Sequence, residues 1–233
     1  RGAEFADLAE SLGRLGCARA VDYLLAALPT ATEAQRETIC FHLAALGFDK
    51  LAPALDVLMA SRGAKARLGV AWTLGKTGDP GAVPLLAALL EEPEPRVRAS
   101  AAGAVAKLVN VNPVAVEVLV RAIDDPSPFV RSAAINGLGK VKGVGDVLGR
   151  TLADPDRFVR TRGALAFARS VGKDAATRLL ALDPDEVEPG ALTVALALTG
   201  SAVAIGEVMR RLGDPAVASA VEAVLAAGDE ELR

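Results

Sequence analysis

Arg96-Val97-Arg98-Ala99-Ser100-Ala101-Ala102-Gly103-Ala104-Val105 has two close counterparts downstream. One is Phe129-Val130-Arg131-Ser132-Ala133-Ala134-Ile135-Asn136-Gly137-Leu138, and the other is Phe158-Val159-Arg160-Thr161-Arg162-Gly163-Ala164-Leu165-Ala166-Phe167. With the last residue of each as an anchor, the pattern extends in both directions to Leu15, Leu46, Leu74, Val105, Leu138, Phe167, Leu198 and Leu225, at spacings of 27 to 33 residues. A near-constant period of this length marks a repeat architecture, in which each unit buries its apolar face only by stacking on its neighbours.

Each unit reads as two helices. The first is a short apolar run, such as Ala82 to Leu90, Val114 to Ile123 or Asp146 to Leu152. An acidic turn with proline follows, as in Glu91-Glu92-Pro93, Asp124-Asp125-Pro126 and Asp154-Pro155. Proline cannot continue a helix and restrains the residue before it. The second helix is expected to start at the Val-Arg pair and to end near glycine, as at Gly47 and Gly75. No segment alternates with period two for long enough to be a strand. The expected fold is therefore all-α, an α-α superhelix of about seven to eight two-helix repeats. It forms a single domain over residues 1–233, most regular over 79–169, with the outer repeats acting as caps.

The composition fits. Of 233 residues, 52% are hydrophobic and 3% aromatic. The core must be built from Ala, Leu and Val, which favours helices and lets them approach closely. One histidine and two cysteines make a zinc or di-iron centre hard to build, so neither metal nor cofactor is expected. There is no run of 18 uncharged apolar residues, so no membrane insertion is expected. Cys17 and Cys40 form no CxxC motif and are read as reduced thiols of an intracellular, cytoplasmic protein. The start, Arg1-Gly2-Ala3-Glu4, is not a signal peptide and lacks an initiator Met, so a processed or partial chain is expected.

At these residues the sequence resembles the HEAT-repeat family, in particular its short prokaryotic branch, the PBS-lyase HEAT-like repeats. The resemblance implies a polar ladder, in which an acidic turn residue precedes an arginine by six positions. Glu92 and Arg98, Asp125 and Arg131, and Asp154 and Arg160 match it. Arg67, preceded at that spacing by Ser61, and Asp183, followed by Pro189, depart from it. The resemblance also implies that second helices line the concave surface. Thr-Pro-Leu-His of ankyrin repeats and the aromatic pattern of tetratricopeptide repeats are absent.

Two residues past the anchors lie Lys76, Lys107, Lys140 and Arg169, and four residues before those lie Trp72, Gly103, Asn136 and Leu165. Positions i and i+4 share a helix face, and this column is offset from the apolar positions, so it should face solvent. Residues 96–178 hold 14 Lys/Arg against 7 Asp/Glu, a net of +7, within a chain of net charge -3. A basic middle between acidic flanks attracts an acidic partner. The expected role is a non-catalytic scaffold or adaptor that holds another protein by an acidic segment, through Trp72, Lys76, Lys107, Asn136, Lys140, Arg162 and Arg169.

Other roles rank behind this one. Nucleic-acid binding, as in HEAT-like DNA glycosylases, is disfavoured by the acidic flanks and scarce aromatics. A chromophore-handling role like that of bilin-lyase subunits is open, since they share the repeat. Deoxyhypusine hydroxylase holds two irons with several His-Glu pairs, which the single histidine excludes. His42 falls four residues before its anchor, at a core or semi-buried position. Gly137-Leu138-Gly139-Lys140 lacks the Ser or Thr of a phosphate loop and ends a helix rather than joining a strand to one.

Overall fold

A computed structural model describes residues 2–27, 30–48 and 64–231 of the chain. Every regular element among the described residues is helical. Contacts divide the chain into two compact units, Arg1–Val118 and Leu119–Arg233.

In the first unit the second helices of successive repeats are α1 (Gly2–Leu15), α3 (Glu33–Ala45), α4 (Ala64–Thr77) and α6 (Pro95–Val105). They pack in succession, α1 on α3, α3 on α4 and α4 on α6. The first helices α2 (Ala18–Ala27) and α5 (Val83–Leu89) pack against this row. The boundary between the units falls inside α7 (Pro113–Ala122). In the second unit the row is α8 (Pro128–Leu138), α10 (Arg157–Val171), α12 (Pro189–Thr199) and α14 (Pro215–Glu231). Against it lie α9 (Gly145–Arg150), α11 (Ala176–Leu180) and α13 (Ala202–Leu212).

The second helices begin where the turn chemistry dictates. Pro95, Pro128 and Pro189 occupy the first helical position, where a missing N–H costs nothing. In α10 the Asp156 carboxylate instead accepts from the amides of Phe158 and Val159, at 2.8 and 3.2 Å. The valine of each Val-Arg pair, Val97, Val130 and Val159, is fully buried. Four predicted anchors, Leu74, Val105, Leu138 and Phe167, are buried as expected.

The outer anchors are corrected. Leu15 is 69% exposed, whereas Leu43 is fully buried and Leu46 only half-buried at the C-cap of α3. Leu198 is exposed, and the next residue, Thr199, takes the buried place. Its hydroxyl donates to the Leu196 carbonyl at 2.7 Å, which satisfies a polar group in a core position. The side chain of Leu225 lies outside the described residues.

Glycine fixes the true register. A Cβ at Gly75 would lie 2.8 Å from the Cβ of Ala104 on the next helix, and one at Gly139 would lie 2.9 Å from that of Ala166. Each glycine follows a buried anchor, and each alanine precedes the next. A Cβ at Gly13 would meet His42 Cβ at 2.8 Å. By the same spacing Leu12 and Leu43 take the anchor positions of α1 and α3, with Leu43 fully buried, Leu12 half-buried and His42 in the place of the alanine. Unit 1 then repeats at 31 residues throughout, through Leu12, Leu43, Leu74 and Val105. Gly75 consequently does not stop α4, as its position near the helix end suggested. The left-handed residue is Gly78, at φ 67°.

Candidate functional site

The arginines one turn into the second helices serve the fold. Arg131 Nη1 donates to the carbonyls of Asp125 and Pro126 in its own turn, at 2.9 and 3.1 Å. Its other nitrogens reach forward to the next turn, where Nε and Nη2 donate to the two Asp154 carboxylate oxygens at 2.8 and 2.7 Å. Hydrogen bonding to Asp154 raises the pKa of Arg131 above the ordinary guanidinium value. Arg98 and Arg160 hold their own turns in the same way, donating to the Glu92 and Asp154 carbonyls at 2.8 and 2.7 Å.

The six-residue spacing expected of the ladder is therefore real, and each such pair is joined through the main chain rather than through the carboxylate. Within a repeat the arginine meets the backbone carbonyl of the acidic residue. The Asp154 carboxylate meets Arg131 of the preceding repeat. Arg67 joins the ladder by this rule, with Nε 2.8 Å from the Glu92 carboxylate. Ser61 lies outside the described residues. At the other end Arg160 Nε donates to the Glu186 carbonyl at 2.8 Å, so there the rung ends on main chain. The turn carboxylates also fold their own turns. Asp125, Asp154 and Asp183 each accept from the amide two residues on, at 2.8 to 2.9 Å.

The candidate binding column divides between the units. In unit 1, Trp72 is 40% exposed, and the Lys76 ammonium, one turn further along α4, lies 5.1 Å from the indole centroid. Lys107 is exposed just past the end of α6. In unit 2, Lys140 and Arg169 are exposed at the ends of α8 and α10. These ends are tied together by two bonds. Lys142 Nζ donates to the Arg169 carbonyl at 2.7 Å, and Ser170 Oγ donates to the Val141 carbonyl at 2.6 Å. Arg162 is half-buried, with its guanidinium 5.3 Å from the Phe158 ring. Asn136 is also half-buried. The column does not face solvent along its whole length, because Ser132 and Leu165 are buried.

The corrected register adds Phe41, and the exposure of two more aromatics, Phe129 and Phe158, was also missed by the sequence reading. Phe41, 66% exposed on α3, is the equivalent of Trp72. Phe129 and Phe158, both exposed, stand on the same faces as Lys140 and Arg169, eleven residues before them. An anchor three residues too late hid Phe41, and the glycine seams would have revealed it. His42 is half-buried beneath Gly13 with its ring edge-on to Phe41, as its semi-buried expectation required.

A sequence model of HEAT repeats matches residues 21–106 and 84–168, which together span more than half of the chain. The chain belongs to the HEAT-repeat family. The PBS lyase HEAT-like repeat model matches residues 6–28. The fold is similar to that of a chain in the complex of CpcE and CpcF of phycocyanin lyase from Nostoc sp. PCC7120. That likeness has a TM-score of 0.53 at 23% identity, and covers 64% of this chain and 98% of the other. No curated protein matches the sequence. Among the described residues of this HEAT-repeat chain, no helix is long and apolar enough to cross a membrane.

Proposed function

We propose that the chain is a non-catalytic scaffold that holds acidic segments of another protein on the exposed faces of the second helices in each unit. One observation carries this reading. Cations recur at a single register, two residues past the buried anchor, at Lys76, Lys107, Lys140 and Arg169, and all four are exposed. The ladder arginines serve the fold through turn carbonyls and carboxylates. Recurring exposed cations draw an acidic partner and set the salt dependence of its binding.

Polyglutamate immobilised on a biosensor tests the reading. The full chain should bind it, and binding should weaken with salt. Reversing Lys107, Lys140 and Arg169 to Glu should abolish it, while far-UV circular dichroism stays unchanged. Equal binding by the reversed variant overturns the proposal.

The likeness to a phycocyanin lyase complex supports a second reading, a chromophore-handling subunit. A pull-down on immobilised bilin, with a change in visible absorbance on capture, would favour it over the scaffold.

A further inference from the structure

Phe41, Trp72 and Gly103 occupy equivalent positions on three successive second helices of unit 1, α3, α4 and α6. The first two present exposed aromatic rings. At the third, a Cβ would meet no atom within 4 Å. Where the register calls for another side chain, there is open space one helix step, roughly 9 Å, from the indole. Cations stand one turn further along, Lys76 over the Trp72 ring on α4 and Lys107 exposed on α6. On α6 the same face also presents exposed Arg96 and half-buried Ser100, and on α3 it presents Thr38. On α4 and α6 the described residues of this face include no carboxylate, while on α3 Glu37 lies one turn before Phe41.

We propose that this surface binds an acidic protein segment which inserts one apolar side chain into the hollow over Gly103, beside Trp72. Carboxylates flanking that side chain meet Lys76 and Lys107. The proposal rests on the scaffold reading above and adds to it an apolar anchor. An apolar side chain fits because a Cβ at Gly103 would meet nothing within 4 Å, and the exposed side chain at the equivalent position of α4 is an aromatic ring. A protein segment fits better than a nucleic acid. Only a protein segment can set an aliphatic side chain between two anions.

Trp72 is the only tryptophan, so its fluorescence reports on this site alone. Two short amidated peptides of equal charge serve as probes. One carries leucine between paired aspartates, and the other carries serine in its place. With the full chain, the leucine peptide should change Trp72 emission and bind about tenfold tighter than the serine peptide, as expected for burial of a leucine side chain. Gly103→Leu fills the hollow at a position with room for it and should erase that preference, with the helical signal retained. Equal affinity of the two peptides for the unmodified chain overturns the proposal, as does a preference that survives Gly103→Leu. An oligo-dT strand that binds this site more tightly than the leucine peptide also overturns it. If the peptides tie while polyglutamate still binds, the hollow alone fails. If no acidic probe binds, the scaffold reading fails with it.

Discussion

At Gly139 an added methyl group would lie 2.9 Å from the Ala166 Cβ and 3.0 Å from its Cα, too close for either helix to stay in place. Gly139→Ala should therefore destabilise unit 2 by ~1–3 kcal/mol, although alanine is the better helix former. At Gly103, where there is open space, the same change should stabilise by ~0.5–1 kcal/mol. Urea unfolding followed by far-UV circular dichroism measures both, and the two signs should be opposite. The ladder supplies a second contrast. Arg131 and Asp154 are only 11% and 9% exposed, so Arg131→Ala leaves a nearly buried carboxylate without its bidentate partner and should cost ~3–5 kcal/mol. Arg160 donates to main-chain carbonyls instead. Its replacement by alanine should cost ~1–3 kcal/mol, and an equal loss at both sites would contradict the assignment of the rungs.

The helix α13 shows how one element settles its own electrostatics. Glu207 accepts from Arg210 and from Arg211 one turn on, the latter at 2.7 Å. These bonds lower its carboxyl pKa from the ordinary 4.5 to about 2. A lowered carboxyl contributes stability that is present above its unfolded pKa and lost as pH falls through the folded one. The contribution should therefore hold above pH 4.5 and fade towards pH 2. Arg210 is 72% exposed and the cluster lies within one helix, so the effect on global unfolding should be small. The side-chain carboxyl resonance of Glu207 should titrate near pH 2, and a midpoint at the ordinary value would refute the pairing. The helix α13 also exposes Val203, Ile205 and Met209. Substituting Met209 with Gln should shift stability by no more than ~0.5 kcal/mol.

At the scale of the whole chain, the repeat was legible because it was written redundantly. Buried Val97, Val130 and Val159, the arginine that follows each, and the turn proline all recur in register. The carbonyl-directed half of the ladder was not legible, since a spacing of six residues is the same whether arginine meets a carboxylate or the oxygen of its own turn. The outer anchors failed for a different reason. In α3 both Leu43 and Leu46 suit a core position, and a search for apolar residues cannot choose between them. In α12 the buried residue is Thr199, which a hydrophobic pattern passes over. The information lay in the small residues, Gly13, Gly75 and Gly139, whose importance is what they lack. Of the candidate site, the cations were visible as a column. The aromatic partners Phe41, Phe129 and Phe158 were not, because their exposure depends on packing rather than pattern.

The glycine seams also constrain how such a gene can change in length. An insertion or deletion inside a second helix would move a glycine away from its alanine and put a side chain into the contact. One in a first helix or a turn leaves the seam aligned. Between Val105 and Leu138 the chain uses 33 residues, with a further turn at Leu108 to Asn112, and between Leu138 and Phe167 it uses 29, with a first helix of only six residues. Length variation among descendants of this sequence should therefore gather on the first-helix side, while the seams keep count.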